Sequence, residues 1–543
     1  MKNKLIRYAA TALVLIFSAS CSDFLDIKPL DKMVLEDYWK TQSDVESTVL
    51  ACYRAMQEDG YMERIILAGE LRSDNVIVDE SKLSTPADIV HINDLTIKPT
   101  NGYLKWQDFY RVINYCNAVI EFAPGVAEID PNYTAGFMRS HLAEATTIRA
   151  LTYFYLVRIY RDVPYIDFHY KDDTQPMQIP QTSGKEILKK LVEQLETAER
   201  YALTSWGQNT VWQKGRVTKN FVRALEADIY LWLGEYDKCI AACERIEPDI
   251  LGENDILNPE LATGAELRFI SNKTNALNAL SLIFLGENSA ESIFELQFDS
   301  YGQANNKLNS LYYGSSTGIG QLAAATFSSY DDGKFFDAKD VRGQSSFSPL
   351  SKSGSAQGFS KIVKYYSVMT LNDDGTVATT TSKNVDNNPP NWVLYRVADV
   401  YLMKAEALVE RNQAGDLEKA LELVNTTFLR SAPEGVQFLM DDYNSQAAMR
   451  KLVLDERQRE FLFEGKRWFD LVRSALREDD RNGGPDNHPL TLNYIIRKYT
   501  YNGEVIRSKL IHTDALYLPI HSDELINNPT LVQNPYYEVN MSK

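Results

Sequence analysis

Two glycine-rich motifs overlap near the middle of the chain, and each has the residue types for a known chemistry. "GSSTG" at 314–318 fits the nucleophile elbow of serine hydrolases, which needs Ser316 on a sharp turn between a buried strand and a helix. "GIGQLA" at 318–323 fits the dinucleotide-binding fingerprint, which also follows a strand. The stretch that precedes both is "NNKLNSLYYG", which is polar and aromatic. We therefore predict turns here, rather than hydrolase or dinucleotide chemistry.

Metal binding is the next chemistry that the residue types could support. Cys239 and Cys243 are one helical turn apart and could bind a metal together with a third ligand, but no histidine is near them and both lie on an apolar stripe. Free cysteine is among the most frequently buried residues, so the pattern favours core packing. The six histidines show no zinc-binding spacing. The sequence therefore predicts neither a metal site nor a cofactor.

Carboxyl groups are too abundant to single out a catalytic pair. Glycoside hydrolysis needs two of them at a defined separation, which a sequence does not give, and this chain has 74 aspartates and glutamates. With no catalytic motif, we expect binding rather than turnover. A glycosidase is the enzyme class left to test.

Sugar binding without catalysis requires flat aromatic faces, and tyrosine combines such a face with a polar tip. The chain has 31 tyrosines, most of which must lie in the core. The candidate glycan-binding residues are four tyrosines in polar stretches: Tyr61 in "EDGYMER", Tyr103 in "TNGYLKW", and Tyr312 and Tyr313 in "NSLYYGSS". The alternative for each is an aromatic side chain that is packed or merely exposed. We assign Trp106 and Trp468 to packing, since both lie in helical patterns rich in apolar residues.

The N-terminus has the order of a secretion signal. A basic start (Lys2, Lys4, Arg7) precedes an apolar run too short to span a bilayer, and three small residues lead directly into Cys21. Small residues ahead of a cysteine resemble the lipobox of bacterial lipoproteins, in which the thiol is lipidated. We predict a signal peptide over 1–20 and lipidation of Cys21. An ordinary signal peptide that happens to have a cysteine near its cleavage point is the alternative.

The charge of the chain excludes several partners. There are 57 basic and 74 acidic residues, and residues 1–20 hold three basic and no acidic ones, so the chain without them has a net charge of −20. Nucleic acid binding needs a basic surface, and an acidic chain is not attracted to anionic lipid headgroups. Membrane attachment would then depend on the lipid at Cys21 alone.

The helical patterns indicate a repeat scaffold. After Gly234 and again after Gly415, apolar residues follow at offsets of two, five, six and nine, which places them on one face of a helix that begins after a tight turn. The preceding helices, 219–233 and 395–410, mix alanines with bulky residues, as the tetratricopeptide repeat does. We predict such helix pairs near 40–60, 141–200, 219–247 and 395–430. A loop-rich insertion with a few short strands follows over 299–390, and then a C-terminal helix over 450–476 and a tail.

The stretch "LDERQREFLFEGKRWFDLVR" at 454–473 is the most distinctive in the chain. We expect one helix here, with ion pairs Arg457–Glu460, Glu464–Arg467 and Asp470–Arg473 at i, i+3. Together with the lipobox, "RALTYFYLVRIYRDVP", "YRVADVYLMKAEALVE" and "LYLPIHSDELINNPTLVQNP", in that order, it resembles the SusD/RagB family of Bacteroidota. The resemblance covers essentially the whole chain from Cys21.

The resemblance implies a fold and a function. The fold would be a single, mainly α domain over 21–543, in which a tetratricopeptide-like scaffold lies beside a loop-rich portion. Family members are not enzymes: they are lipid-anchored on the exterior of the outer membrane, bind oligosaccharides and deliver them to a SusC-like TonB-dependent transporter. Two alternatives stay open, namely a repeat adaptor that binds only proteins, as tetratricopeptide grooves do, and a surface glycoside hydrolase.

Overall fold

The computed structural model describes residues 38–78, 85–171, 174–251, 267–271, 276–299, 306–313, 320–325, 335–336, 340–347, 360–371, 377–384, 388–499 and 501–541. The predicted signal peptide, Cys21 and the "GSSTG" motif lie outside these residues.

Helices dominate the described residues. They are α1 Gln42–Gln57, α2 Asp59–Glu70, α3 Ala87–Asn93, α4 Gln107–Ile129, α5 Ala135–Tyr160, α6 Gly184–Tyr201, α7 Thr210–Gly215, α8 Lys219–Leu233, α9 Tyr236–Ile246, α10 Ala276–Phe284, α11 Asn306–Leu308, α12 Val341–Ser346, α13 Val397–Arg411, α14 Asp416–Ser431, α15 Gln446–Glu460, α16 Arg467–Arg481, α17 Pro489–Ile495, α18 Gly503–Leu510, α19 Ser522–Asn527 and α20 Pro535–Met541.

Strands are short and form two-stranded sheets. They are β1 Val76–Val78, β2 Val163–Pro164, β3 Gln181–Thr182, β4 Ile250–Leu251, β5 Leu267–Arg268, β6 Ser292–Leu296, β7 Leu322–Ala324, β8 Ser367–Leu371, β9 Val377–Ser382 and β10 Trp392–Arg396. The pairs are β1–β7, β2–β3, β6–β10 and β8–β9, all antiparallel, and β4–β5, which is parallel. Because β7 is a strand paired with β1, the "GIGQLA" motif does not open the helix that a dinucleotide-binding turn requires.

The scaffold is a continuous stack of helices in which α1 packs on α4, α4 on α5, α5 on α6, α6 on α8, α8 on α9, α9 on α13 and α13 on α14. The predicted pairs α5–α6, α8–α9 and α13–α14 are present. Near 40–60, however, the partner of α1 is the later helix α4. Gly234 ends α8 with φ +75, as predicted. Gly415 instead precedes α14, while α13 ends at Asn412, which has φ +54.

The prediction of one C-terminal helix over 450–476 is wrong, because the chain forms α15 and α16 with a break between them. Phe463 and Gly465 have φ of +63 and +73, which no continuous helix allows. The break turns charged side chains toward partners far away in the sequence. Arg467 pairs with Asp74 at 2.8 Å.

Two of the three ion pairs predicted within this stretch are therefore wrong. Arg457 pairs with Asp470 at 2.8 Å rather than with Glu460, and Glu464 with Arg396 at 2.8 Å rather than with Arg467. The pair Asp470–Arg473, at 2.7 Å, is confirmed.

A buried group of charges joins the loop-rich portion to the helices. We call it the Arg396 cluster, and its members are Glu291, Arg342, Lys364, Arg396, Arg430, Glu460 and Glu464. Arg396 is fully buried and contacts Glu291 at 2.8 Å, while Arg342 from α12 reaches Glu460 of α15 at 3.0 Å. Each buried charge has an opposite charge beside it, as burial requires.

The four cysteines of the described residues, Cys52, Cys116, Cys239 and Cys243, are free and buried, as the sequence predicts. No group of three or more His, Cys, Asp or Glu side chains that could hold a metal ion occurs among the described residues. No helix in that part of the chain is long and apolar enough to cross a membrane.

Candidate functional site

Tyr61 does not lie in a polar loop, so the premise for its selection is wrong. It lies in the first turn of α2 with an exposed fraction of 0 %, and its ring contacts Phe109 at a centroid distance of 5.1 Å. The polar "EDG" before it ends one helix and starts the next, and the apolar face that begins at Tyr61 packs into the core. The ring cannot stack on a sugar in this conformation.

Tyr312 is also buried, with an exposed fraction of 0 %. It lies in a helical turn, Asn309–Tyr313, and its ring is 6.4 Å from that of Trp392 and 6.2 Å from that of Phe463. Burial raises the pKa of its hydroxyl well above the ordinary value. Its selection as an exposed loop aromatic is therefore wrong, for the same physical reason as that of Tyr61.

Tyr103 is partly exposed in a short turn that polar contacts hold in place. The Asn101 side chain accepts a hydrogen bond from the Tyr103 backbone N–H at 3.0 Å, and Asp88 accepts one from Gly102 at 2.9 Å. Partial burial, with Glu63 and Asp88 nearby, raises the pKa of Tyr103 to about 12. The hydroxyl therefore stays protonated at neutral pH and could donate a hydrogen bond to a ligand.

Tyr313 is partly exposed, but its ring already has neighbours. The Lys361 ammonium lies 3.7 Å from the ring centroid, and the Tyr366 ring is 4.7 Å away. A sugar that stacks on this ring would compete with the Lys361 cation–π contact. The segment that holds Tyr313 and the turn that holds Tyr103 both lie beside α2. Lys307 pairs with Glu63 of α2 at 3.1 Å, and Glu63 also lies beside Tyr103.

A better-formed site, which we call the aromatic groove, lies where the first half of α4 meets α19 and a segment that supplies residues 164–170 and 177–179. It has a volume of about 500 Å³, within the range of ligand pockets. The residues that matter for its chemistry are Trp106, Tyr110, Asn114, Tyr170, Met177 and Glu524. None of these six was selected from the sequence as a binding residue, and Trp106 was assigned to packing, which its exposed fraction of 3 % confirms.

Backbone contacts fix the two tyrosine rings of the aromatic groove. Tyr110 donates its hydroxyl to the carbonyl of Pro164 at 2.7 Å, and Tyr170 donates to the carbonyl of Pro176 at 2.8 Å. The Asn114 side-chain oxygen accepts the Tyr170 backbone N–H at 2.8 Å and so ties the segment to α4. Rings held in this way lose little conformational entropy when a ligand contacts them.

Several polar groups of the groove keep unused hydrogen-bonding capacity. The Asn114 amide nitrogen has no partner among the described residues, while its oxygen accepts from Tyr170 and contacts His169. Glu524 accepts the Trp106 backbone N–H through one oxygen at 3.3 Å, and its other oxygen has no partner in the described part of the chain. Exposed Gln107 and Asn527 add amides at the rim.

This chemistry suits a carbohydrate. Aromatic faces contact the C–H side of a sugar ring, and amide and carboxylate groups bind its hydroxyls. Among the described lining residues Glu524 is the only carboxyl group, whereas glycoside hydrolysis uses two that flank the scissile bond. The described residues of the groove can therefore bind a sugar, and they supply one carboxyl group rather than two.

A second cleft, of about 410 Å³, lies among α13, α15, α16 and α17 and has charged walls. Its charges satisfy one another: Arg473 pairs with Glu406 at 2.7 Å, and Arg450 with Glu410 at 3.0 Å. These pairs join neighbouring helices of the scaffold. The charges that line the cleft therefore have structural partners and do not by themselves indicate a ligand.

Comparison with known proteins gives consistent matches along the chain. A family model described as "SusD family" matches residues 325–537, and one described as "Starch-binding associating with outer membrane" matches residues 23–231. "SusD-like protein P38" of Formosa agariphila is 25% identical over 95% of this chain and 96% of that protein. A "SusD-like protein" of Bacteroides ovatus is 23% identical over 87% of this chain and 82% of that protein.

Solved structures show the same fold. A SusD superfamily protein from Bacteroides thetaiotaomicron has a TM-score of 0.65 and 21% identity, covering 92% of this chain and 99% of that one. A structure described as "Laminarin binding SusD-like protein" also has a TM-score of 0.65 and 21% identity, and covers 92% of this chain and 100% of that one. The two family models match most of the chain, and the mainly helical fold agrees with them. The chain belongs to the SusD/RagB family.

Proposed function

We propose that this protein is a lipid-anchored receptor of the outer membrane that binds an oligosaccharide in the aromatic groove and passes it to a SusC-like TonB-dependent transporter. The observation that carries the proposal is the groove itself, with fixed tyrosine rings beside an amide and a carboxylate that have unused hydrogen-bonding capacity. Membership of a family described as starch-binding and associated with the outer membrane supports it. We also propose that the protein is not an enzyme.

Titration calorimetry tests the binding step. The chain that starts after Cys21 is titrated with a panel of plant and host oligosaccharides, beside the variant Tyr170→Ala. Loss of an aromatic face should weaken binding about tenfold, as aromatic contacts contribute on the order of 1 kcal/mol beyond the area that they bury. Tyr501→Ala is the matched control, because Tyr501 is 92% exposed and does not line the groove.

Three outcomes separate the alternatives. Binding of one glycan class that weakens in Tyr170→Ala but not in Tyr501→Ala supports the receptor. Absence of binding across the panel favours a repeat adaptor for proteins. Release of shorter sugars during the titration indicates a hydrolase. Tyr103→Ala and Tyr313→Ala belong in the same series, because both residues stay predictions as further glycan contacts.

The anchor and the transporter need tests in cells. We expect Cys21→Ala to abolish labelling by a radioactive fatty acid and to move the protein out of the membrane fraction, while Cys52→Ala, a buried cysteine, should keep the label. An affinity tag at the C-terminus should co-purify a TonB-dependent transporter from outer membranes. Retention of the label in Cys21→Ala, or purification of the chain alone, contradicts this part of the proposal.

A further inference from the structure

The charges around the aromatic groove restrict which sugars it can take, and this argument rests on the proposed function. Among the described residues that line the groove, no lysine or arginine occurs, and Glu524 supplies a single negative charge. The remaining polar groups of the lining side chains are amides, hydroxyls and the indole N–H of Trp106.

The cations that are nearest along the chain already have partners. Lys105, which precedes Trp106, pairs with Asp523 at 3.2 Å, and Arg111, which follows Tyr110, pairs with Asp108 at 3.7 Å. Lys171, which follows Tyr170, pairs with Glu121. A ligand anion at the groove would have to break one of these ion pairs to gain a counter-charge. Proteins that recognise carboxylate or sulfate groups commonly use a guanidinium fork or an ammonium for this purpose.

The carboxylate of Glu524 repels a ligand anion instead of attracting one. One of its oxygens accepts the Trp106 N–H and the other can accept a sugar hydroxyl, which is a charge-assisted hydrogen bond. A uronate or sulfated sugar would place a second negative charge beside this carboxylate, in a protein whose net charge is already strongly negative. Partial burial of Glu524 weakens the screening of that repulsion by salt.

From this charge distribution we propose that the aromatic groove is selective for neutral saccharides and discriminates against uronic and sulfated ones, with Glu524 as the specificity-determining residue. The Glu524 carboxylate favours hydroxyl donors and repels ligand anions. Asn114 supplies the complementary N–H donor for a sugar oxygen.

The test uses matched ligands that differ only in charge. Neutral malto-, cello- and laminari-oligosaccharides are titrated into the chain beside the same oligosaccharides with their primary alcohols oxidised to carboxylates. We expect the oxidised form of the ligand that binds to be weaker by about tenfold, because like charges close together in a partly desolvated site repel on that scale. In Glu524→Gln the affinities for the neutral and the oxidised ligand should differ by about threefold or less.

The design separates specificity from folding and from the proposed function. The Glu524→Gln variant keeps a side-chain oxygen that can accept the Trp106 N–H, so the fold should be kept, and Glu504→Gln removes one exposed charge elsewhere as a control. Equal or tighter binding of the oxidised ligand, or a gap that Glu524→Gln leaves unchanged, overturns the inference. If neither form of any ligand binds, the proposed function is overturned as well, and the two failures are thereby distinguished.

Discussion

At the scale of single residues, the ring of Tyr110 rather than its hydroxyl should matter for ligand binding. The hydroxyl donates its only hydrogen to the Pro164 carbonyl at 2.7 Å and has none left to donate to a sugar. Tyr110→Phe should therefore keep the affinity within about twofold while lowering the free energy of unfolding by about 1 kcal/mol, the net worth of one hydrogen bond. Tyr110→Leu, which removes the flat face, should weaken binding. Calorimetry and urea unfolding measure both, and a large loss of affinity in Tyr110→Phe contradicts the assignment.

Glu70 gives a prediction about pH. Burial raises the pKa of this carboxyl to about 7, although Asn75 and the Gly465 N–H donate hydrogen bonds to it. A raised pKa means that the folded protein holds the proton more tightly than the unfolded chain does. The stabilisation of the folded protein by this bound proton is fully present below the ordinary glutamate pKa of about 4.3, and it is lost as the pH rises to 7.

Wild type should therefore lose stability relative to Glu70→Gln by up to ~1.4 kcal/mol per pH unit within this window. Urea unfolding of both proteins at several pH values from 4 to 8 measures the difference. Parallel pH profiles for the two proteins show that Glu70 does not titrate as stated.

The sequence did not show which of the candidate tyrosines are buried. A tyrosine in a polar stretch looks the same whether its ring enters the core, as in Tyr61 and Tyr312, or stays partly exposed, as in Tyr103. Tyr110 and Tyr170 could not be found together, because the contacts that align them link α4 to a segment about fifty residues later. The polar surroundings of Tyr170 in "DFHYKDD" were the one local signal.

At the scale of elements, the break between α15 and α16 depends on Gly465. Its φ is +73, and a Cβ there would lie 2.9 Å from a ring carbon of Trp392. Gly465→Ala should lower the free energy of unfolding by about 3 kcal/mol, since left-handed strain costs about 1–2 kcal/mol and the clash adds to it. Thermal or urea unfolding measures the loss.

The matched control is Gly483→Ala, where φ is +93 but no atom lies within 4 Å of the added Cβ. Gly483→Ala should lower the free energy of unfolding through backbone strain alone, by about 1–2 kcal/mol. Equal losses in the two variants contradict the role of Trp392 at the break.

Helices with local signals could be predicted, and those set by distant contacts could not. The offsets after Gly234 identified α8 and α9, because helix capping and amphipathic spacing are local properties. The break in "REFLFEGKRW" was missed since its cause is distant: Arg467 pairs with Asp74, and the Gly465 N–H donates to Glu70. The charged residues there are spaced at i, i+3, but most of them form ion pairs with residues outside their own helix.

At the scale of the whole molecule, the Arg396 cluster should hold the loop-rich portion to the helical scaffold. Arg396 is fully buried and pairs with three buried carboxylates, those of Glu291, Glu460 and Glu464. Arg396→Met should lower the free energy of unfolding by about 3–5 kcal/mol, because it leaves buried carboxylates without their counter-ion. Chemical unfolding measures this.

Arg54→Met provides the comparison, since Arg54 pairs with Glu58 at 3.5 Å on the surface, where both side chains are more than 40% exposed. Exposed pairs contribute about 1 kcal/mol at most. Similar effects of the two substitutions contradict a structural role for the cluster.

The central claim is that a glycan binds in the aromatic groove, and a crystal structure of the chain with the tightest oligosaccharide from the calorimetric panel tests it most directly. The account predicts a sugar ring against Tyr110 or Tyr170, with hydroxyls within hydrogen-bonding distance of Asn114 and Glu524. A glycan bound at Tyr103 and Tyr313, with the groove empty, would contradict it.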